Sequence, residues 1–143
     1  MKRYSLIIVG LLLLHGTALS SERFAVSVPT ANIRSGPGEK YDILWKVERY
    51  YPILILQKSG HWYFFKDFEG DKGWIHDSCI GKISSVISLK DNCNVRSMPD
   101  VGAMILFTVE KGIPFKIIER KGEWIHIEHS DGDKGWIHQS LVW

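Results

Sequence analysis

The chain has 143 residues, with 18 lysines and arginines, 16 aspartates and glutamates and a formal charge of +2 at pH 7. The basic excess lies in Lys2 and Arg3, so the remainder of the chain is formally neutral. A neutral chain lacks the cationic surface that nucleic acid or an anionic membrane attracts. Neither is expected as its partner.

Residues 1–20 have the pattern of a secretory signal peptide. Lys2 and Arg3 form the positive start, residues 6–14 form an apolar run, and Ala18-Leu19-Ser20 is a small-residue cleavage pattern. The run is too short to span a bilayer comfortably, and no later stretch is long enough. We therefore expect cleavage after Ser20, a periplasmic or secreted location, and no stable membrane insertion once the signal is removed.

The rest of the chain contains an internal repeat. GDKGWIH occurs at residues 70–76 and again at 132–138, and at this offset of 62 the two copies align without a gap from 32–80 to 94–142. A self-similar period of this length indicates a duplicated structural unit.

Each copy is predicted to form short strands. In the first copy Ile43, Trp45 and Val47 alternate with polar or outward positions, and the second copy repeats the alternation. Gly, Asp and Pro clusters supply the turns between these segments. The sequence predicts an all-β chain of two small barrels, at residues 24–80 and 86–143, joined by residues 81–85. The predicted cores are Ile33, Ile43, Val47, Ile53, Ile55, Tyr63, Phe65 and Ile75, then Val95, Ile105, Val109, Phe115, Ile117, Ile125, Ile127 and Ile137.

Three motifs carry a resemblance to a known family. Asn-Ile-Arg-Ser-Gly-Pro-Gly at 32–38, Gly-His-Trp at 60–62 and Gly-Trp-Ile at 73–75 resemble the bacterial SH3-like (SH3b) domain, in the tandem form that proteobacteria export. The resemblance implies two tandem SH3-like barrels that recognise peptidoglycan or its peptides. Met98 and Asp100 stand where the family has glycines, so the first loop of the second barrel is expected to have a different shape.

Catalytic chemistry is not indicated. The histidines form no metal-ligand run, and no nucleophile, metal or acid–base pair is evident, so we expect no cofactor, no metal and no enzyme activity. The papain-like peptidases that such domains accompany would need a further domain. Two functions remain open: a binding module for peptidoglycan or cell-wall peptides, and a periplasmic protein–protein adaptor.

Cys79 and Cys93 could form a disulfide in an oxidising compartment. The bond would close a loop of about 15 residues, worth roughly 3 kcal/mol in the chain-entropy model. It would link the end of the first barrel to the start of the second. Two buried thiols, or a nucleophilic cysteine, are the alternatives.

Aromatic side chains are predicted on the outer faces of both barrels. Such a surface either stacks on sugar or peptide ligands or is covered by another part of the protein. The ligand-binding alternative predicts a groove in the first barrel, and weaker binding in the second. The candidate residues are Arg34, Tyr50, Tyr51, Trp62 and Trp74 in the first barrel, with Trp124 and Trp136 in the second.

Overall fold

The computed structural model describes residues 22–143, and the chain there is all-β. The predicted signal peptide lies outside these residues. Within them, no helix is long and apolar enough to cross a membrane. The strands of the first barrel are β1 (Arg23–Val26), β2 (Thr30–Arg34), β3 (Ile43–Glu48), β4 (Pro52–Ser59), β5 (Trp62–Lys66), β6 (Lys72–His76) and β7 (Ile80–Gly81).

The second barrel repeats this arrangement. Its strands are β8 (Ser85–Ile87), β9 (Cys93–Arg96), β10 (Ile105–Val109), β11 (Pro114–Lys121), β12 (Trp124–Glu128) and β13 (Lys134–His138). A 3₁₀ turn follows the last long strand of each barrel, at Asp77–Cys79 (η1) and Gln139–Leu141 (η2). The strand order is β3-β2-β6-β5-β4-β1-β7 in one sheet and β10-β9-β13-β12-β11-β8 in the other. Two antiparallel barrels in tandem confirm the predicted fold class.

Each barrel has its own hydrophobic core, and most of the predicted core residues lie in it. Ile55, Tyr63, Val109 and Ile117 are partly buried against the cores. Val26, Ala31, Val86 and Cys93 belong to the cores as well, although the strand alternation did not identify them. The predicted residues that are fully buried are Ile33, Val47, Ile53, Phe65, Ile75, Val95, Phe115, Ile125, Ile127 and Ile137.

Two core predictions are wrong: Ile43 and Ile105 are 47% and 46% exposed. The cause is a β-bulge at the same place in both barrels. Ile33 pairs with Trp45 but the next residue, Arg34, pairs with Ile43, so one residue of β3 has no partner. An extra residue reverses the side-chain alternation beyond it. Residues before the bulge therefore face outward, and β10 repeats the irregularity next to Ile105.

The repeated heptapeptide contributes a turn, a close contact and a core residue. Gly70 and Gly132 adopt positive φ values of 81° and 98° in the turn before the strand. A Cβ on Gly73 would overlap Ile33, and one on Gly135 would overlap Val95. The next strand can approach this closely only where the side chain is a hydrogen atom.

The two barrels contact each other at several points. Arg23 of the first barrel donates hydrogen bonds to the main-chain oxygens of Ser85 and Trp143, at 3.1 and 2.7 Å. The ammonium of Lys111 lies 3.3 Å from a carboxylate oxygen of Glu69. These contacts join the first strand and one turn of the first barrel to the second barrel.

The predicted disulfide is not formed, because each cysteine packs against the core of its own barrel and not at the boundary between the barrels. Cys79 lies against the first core, whereas Cys93 is 1% exposed within the second core. Both thiols are free, and the Cys93 Sγ donates to the main-chain oxygen of Lys90 at 3.1 Å. The structure therefore favours the alternative of two thiols that act as small apolar side chains.

We expect Ile75→Ala and Ile137→Ala each to lower the free energy of unfolding by about 2–5 kcal/mol, because both side chains are fully buried. Denaturant titration of the purified variants measures the change. Ile43→Ala and Ile105→Ala are matched controls. These should cost less than about 1 kcal/mol, and a larger loss would contradict the bulged strand.

We expect the two thiols to differ in reactivity. Burial raises the pKa of the Cys93 thiol, which lowers its thiolate fraction, whereas Cys79 is only partly buried. Native alkylation followed by peptide mass spectrometry should label Cys79 first and Cys93 only after unfolding. Equal labelling of both thiols in the folded protein would contradict the placement of Cys93.

Candidate functional site

Two equivalent clefts lie on the outer faces of the barrels, one in each copy. Cleft 1 contains Arg34, Trp62 and His76 and has a volume of about 270 Å³. Cleft 2 contains the residues 62 positions later and has a volume of about 520 Å³. The second set is Arg96, Trp124 and His138.

Strand pairing places the aromatic residues of each cleft side by side. Trp62 is directly opposite His76 across β5 and β6, and their rings pack edge to face at 5.1 Å. Trp124 and His138 repeat the pair across β12 and β13 at 5.2 Å. Directly opposed residues on one face of a sheet are in side-chain contact, so the sequence repeat produces the same aromatic pair twice.

The 3₁₀ turns fix the orientation of the two imidazoles. His76 Nδ1 accepts the backbone N–H of Ser78 at 3.1 Å, and His138 Nδ1 accepts that of Ser140 at 3.2 Å. A neutral imidazole that accepts through Nδ1 carries its proton on Nε2. The ring nitrogen on the other side is therefore a donor in both clefts.

The partner of that imidazole differs between the barrels. In cleft 2 the Nε2 of His138 lies 3.4 Å from a carboxylate oxygen of Glu123. In the first barrel the equivalent position is His61, whose Nδ1 is 2.9 Å from Asp77. That hydrogen bond from His61 lowers the pKa of the Asp77 carboxyl. Cleft 2 thus has the Glu123 carboxylate in its lining, at a position where the first barrel has an imidazole.

The arginines connect each cleft to the first loop of its barrel. Arg34 Nη1 donates to the main-chain oxygens of Glu39 and Tyr41 at 3.0 and 2.9 Å. Arg96 Nη1 donates to the main-chain oxygen of Ala103 at 2.9 Å. One guanidinium nitrogen therefore holds the loop in both barrels, and both arginines also line the clefts.

The predicted difference in shape of the first loop is wrong, because the backbone hydrogen bonds repeat: Ser35 N–H donates to Asp42 O and Ser97 N–H to Met104 O, both at 2.9 Å. The two loops differ in their side chains. In the first barrel the ring of Tyr41 lies against Gly36, and a Cβ on Gly36 would overlap it. In the second barrel Met98 replaces the glycine and Ala103 replaces the tyrosine. The two replacements are compatible, because with alanine at 103 there is no ring for a side chain at 98 to overlap.

Tyr51 does not join the predicted groove with Trp62. Its hydroxyl donates to Asp67 Oδ2 at 2.7 Å, and its ring packs against the first core and Phe68. Asp67 follows the end of β5, whereas Trp62 begins that strand, so the two sites are about 16 Å apart. Tyr50, with a φ of 72°, precedes Tyr51 in the turn before β4.

The two remaining predicted tryptophans lie outside the clefts. Trp74 packs against Phe64, with 5.1 Å between ring centroids. Trp136 stacks on His126 at 4.7 Å with an interplanar angle of 8°, and it is only 7% exposed. The structure thus brings together Arg34 and Trp62, and separately Arg96 with Trp124. Trp136 fits the alternative in which an outer aromatic side chain is covered by another part of the protein.

Within residues 22–143, no group of three or more His, Cys, Asp or Glu side chains is arranged to hold a metal ion. His76, His138 and Glu123 were not among the predicted site residues. The signal that could have found them is the repeat itself: strand parity puts each histidine of the repeated heptapeptide opposite a tryptophan.

Comparison with known proteins identifies the family. The protein-family model described as Bacterial SH3 domain matches the chain twice, at residues 27–81 and 89–143. The chain belongs to the bacterial SH3 domain family. This confirms the resemblance that the three sequence motifs carried, and the two matches correspond to the two barrels.

Curated relatives include larger proteins. The chain is 25% identical over 128 residues to the Bacillus subtilis protein named "Putative N-acetylmuramoyl-L-alanine amidase YrvJ", covering 82% of this chain and 24% of that protein. It is 36% identical over 52 residues to the Staphylococcus epidermidis protein named "Probable cell wall amidase LytH", covering 36% of this chain and 18% of that one. A solved structure of NlpC1 from Trichomonas vaginalis matches with a TM-score of 0.40 and 12% identity, covering 86% of this chain and 45% of that one. The chain therefore spans about a quarter or less of the length of these two curated relatives.

We expect Tyr51→Phe to lower the free energy of unfolding by about 1–3 kcal/mol, because it removes a hydrogen bond to the buried Asp67. Burial and Asp67 also raise the pKa of the Tyr51 phenol above its ordinary value. The stabilisation is therefore complete at neutral pH and is lost as pH rises through the folded-state pKa. Ultraviolet titration of tyrosinate should lose its last-titrating phenol in Tyr51→Phe but not in Tyr50→Phe. Loss of an early-titrating phenol instead would contradict the assignment.

Proposed function

We propose that this protein is a non-catalytic, exported binding module that recognises peptidoglycan or cell-wall peptides through clefts 1 and 2, in the periplasm or outside the cell. The observation that carries the proposal is the presence of two equivalent clefts that combine an arginine, an indole and an imidazole. Family membership and the similarity to proteins named as cell-wall amidases support a location at the wall.

The groups in each cleft suit a polymer of sugars and short peptides. An indole ring offers a flat apolar face that stacks on sugar rings or peptide groups. A guanidinium binds carboxylates with two parallel hydrogen bonds, and the stem peptides of a cell wall carry carboxylates. The imidazole Nε2–H adds a neutral donor beside the indole, so one cleft can contact both parts of such a ligand.

We expect cleft 2 to contribute more to binding than cleft 1. Its volume is about 520 Å³ against about 270 Å³. Only one main-chain oxygen accepts from Arg96, whereas two accept from Arg34. The sequence favoured the first barrel because its Ser-Gly-Pro-Gly loop matches the family motif, whereas the volumes and hydrogen bonds support the opposite order.

Binding to purified sacculi tests the proposal. We expect the wild-type chain to be retained, Trp124→Ala to weaken retention by about tenfold, and Trp62→Ala to weaken it by about threefold. Trp74→Ala is the matched control, because it removes an indole outside both clefts. The melting temperature of each variant checks that the barrel is folded. Retention that falls equally in Trp74→Ala would contradict the assignment to the clefts.

A second function, a periplasmic protein–protein adaptor, is favoured by one surface. The first loop of the second barrel exposes Met98, Val101 and Met104 at 63%, 75% and 68%. Their counterparts in the first barrel are Gly36, Glu39 and Asp42, so the apolar character belongs to one copy. Absence of retention on sacculi, with capture of a periplasmic protein that Met98→Ser and Met104→Ser abolish, would replace the wall-binding proposal.

A further inference from the structure

A third cleft lies where the two barrels meet, away from clefts 1 and 2. This junction cleft has a volume of about 490 Å³. Arg23 of the first barrel forms one side. The other lining residues that determine which ligand it could bind are Ser84, Ser85, Ile117, Arg120 and Trp143.

Arg23 is held in the junction cleft by the second barrel. Its guanidinium carbon lies 4.0 Å from the centroid of the Trp143 ring, while Nη2 donates to the main-chain oxygens of Trp143 and Ser85. Desolvation, followed by the positive charge of Arg120, lowers the pKa of Arg23. Both arginines line the junction cleft, so two like charges face the same space.

Acidic side chains do not balance this pair of charges. Glu119 also lines the junction cleft, but its carboxylate lies 3.8 Å from the ammonium of Lys121. Between residues 22 and 143, neither Arg23 nor Arg120 forms an ion pair with an aspartate or glutamate side chain. An anion in the junction cleft would reduce the repulsion, since opposite charges at short range are attractive.

Ser85 supplies an independent observation. Its hydroxyl oxygen is buried, the residue is 4% exposed, and no group in the described part of the chain forms a hydrogen bond with that oxygen. A buried hydroxyl without a partner is unfavourable, because it has lost its hydrogen bonds to water without replacing them. Ser85 lines the junction cleft, so a ligand there could accept this hydrogen bond.

The other walls of the junction cleft are apolar. The ring of Trp143 and the side chains of Ile117 and Val86 line the space beside the arginines. A fully hydrated ion such as phosphate gains nothing from such walls, whereas a carboxylate attached to an apolar group fits both parts. We propose that the junction cleft binds a small apolar carboxylate, with Arg120 and the Ser85 hydroxyl as its donors and the Trp143 ring as its apolar wall.

The first barrel provides an internal comparison for this site. Its equivalent cleft is smaller, about 210 Å³, and contains Glu22, Gln57 and Lys58. The ammonium of Lys58 lies 5.2 Å from the ring centroid of Tyr63, and among the residues that the structure describes neither an arginine nor a tryptophan lines this cleft. The site therefore depends on the contact between the barrels and is present only once within residues 22–143.

Titration of the isotope-labelled chain with N-acetyl-leucine, followed by nuclear magnetic resonance, tests the proposal. We expect saturable shifts of the amides of Ser84 and Ser85 and of the Trp143 indole N–H. Arg120→Gln should weaken binding by at least about tenfold, and Ser85→Ala by about threefold or more. Lys58→Gln is the matched control at the equivalent position, and it should leave affinity within about twofold.

Two further ligands decide which chemistry is recognised. N-acetyl-leucinamide has the same apolar group without the charge, and it should produce no saturable shift. Inorganic phosphate should bind more weakly than N-acetyl-leucine, because it cannot use the apolar walls. Equal binding of the amide or of phosphate, or unchanged affinity in Arg120→Gln, would overturn the proposal. Retention on sacculi does not enter this measurement, so its outcome is separate from that of the proposed function.

Discussion

The close approach of one strand to another, with no side chain between them, is the constraint on which both barrels depend. Gly73 and Gly135 each lie so near the neighbouring strand that a methyl group would overlap a core residue. The approach places Arg34 opposite Trp74 between β2 and β6, and Arg96 opposite Trp136 between β9 and β13. Each is the single paired position between its two strands. Core closure and cleft geometry therefore have a common origin, since the arginine of each cleft ends the strand that crosses at the glycine.

The fold was predictable because the duplication supplies each strand twice. A strand pattern that occurs in both copies is a better guide than one that occurs once, since chance alternation would not recur at the same offset. The bulges set the limit of this reasoning. A single unpaired residue in β3 and in β10 reverses the side-chain alternation. Ile43 and Ile105 are isoleucines, which are typical of core positions, so their identity gives no sign that they face outward. Hydrophobicity alone cannot show where the pairing slips.

The site was less predictable than the fold because it depends on which end of a strand a side chain occupies. Tyr51 and Trp62 both belong to the same region of the sequence, but a hydrogen bond to Asp67 holds the tyrosine at the far end of β5. The placement of Cys79 and Cys93 has the same explanation. Separation along the chain does not show that two residues face different cores, and only the packing of the two barrels does so.

The fit of Tyr41 against Gly36 also bears on how two copies of one unit can diverge. A larger side chain at Gly36 overlaps the ring while the tyrosine is present, whereas loss of the ring alone leaves only a void. The order of the two changes, enlargement of the glycine and loss of the tyrosine ring, therefore matters. Shortening the tyrosine first opens a path to the arrangement seen at Met98 and Ala103, while enlarging the glycine first passes through a strained intermediate. A duplicated barrel can thus change the surface of a loop by single steps without changing its backbone, provided that the ring is lost first.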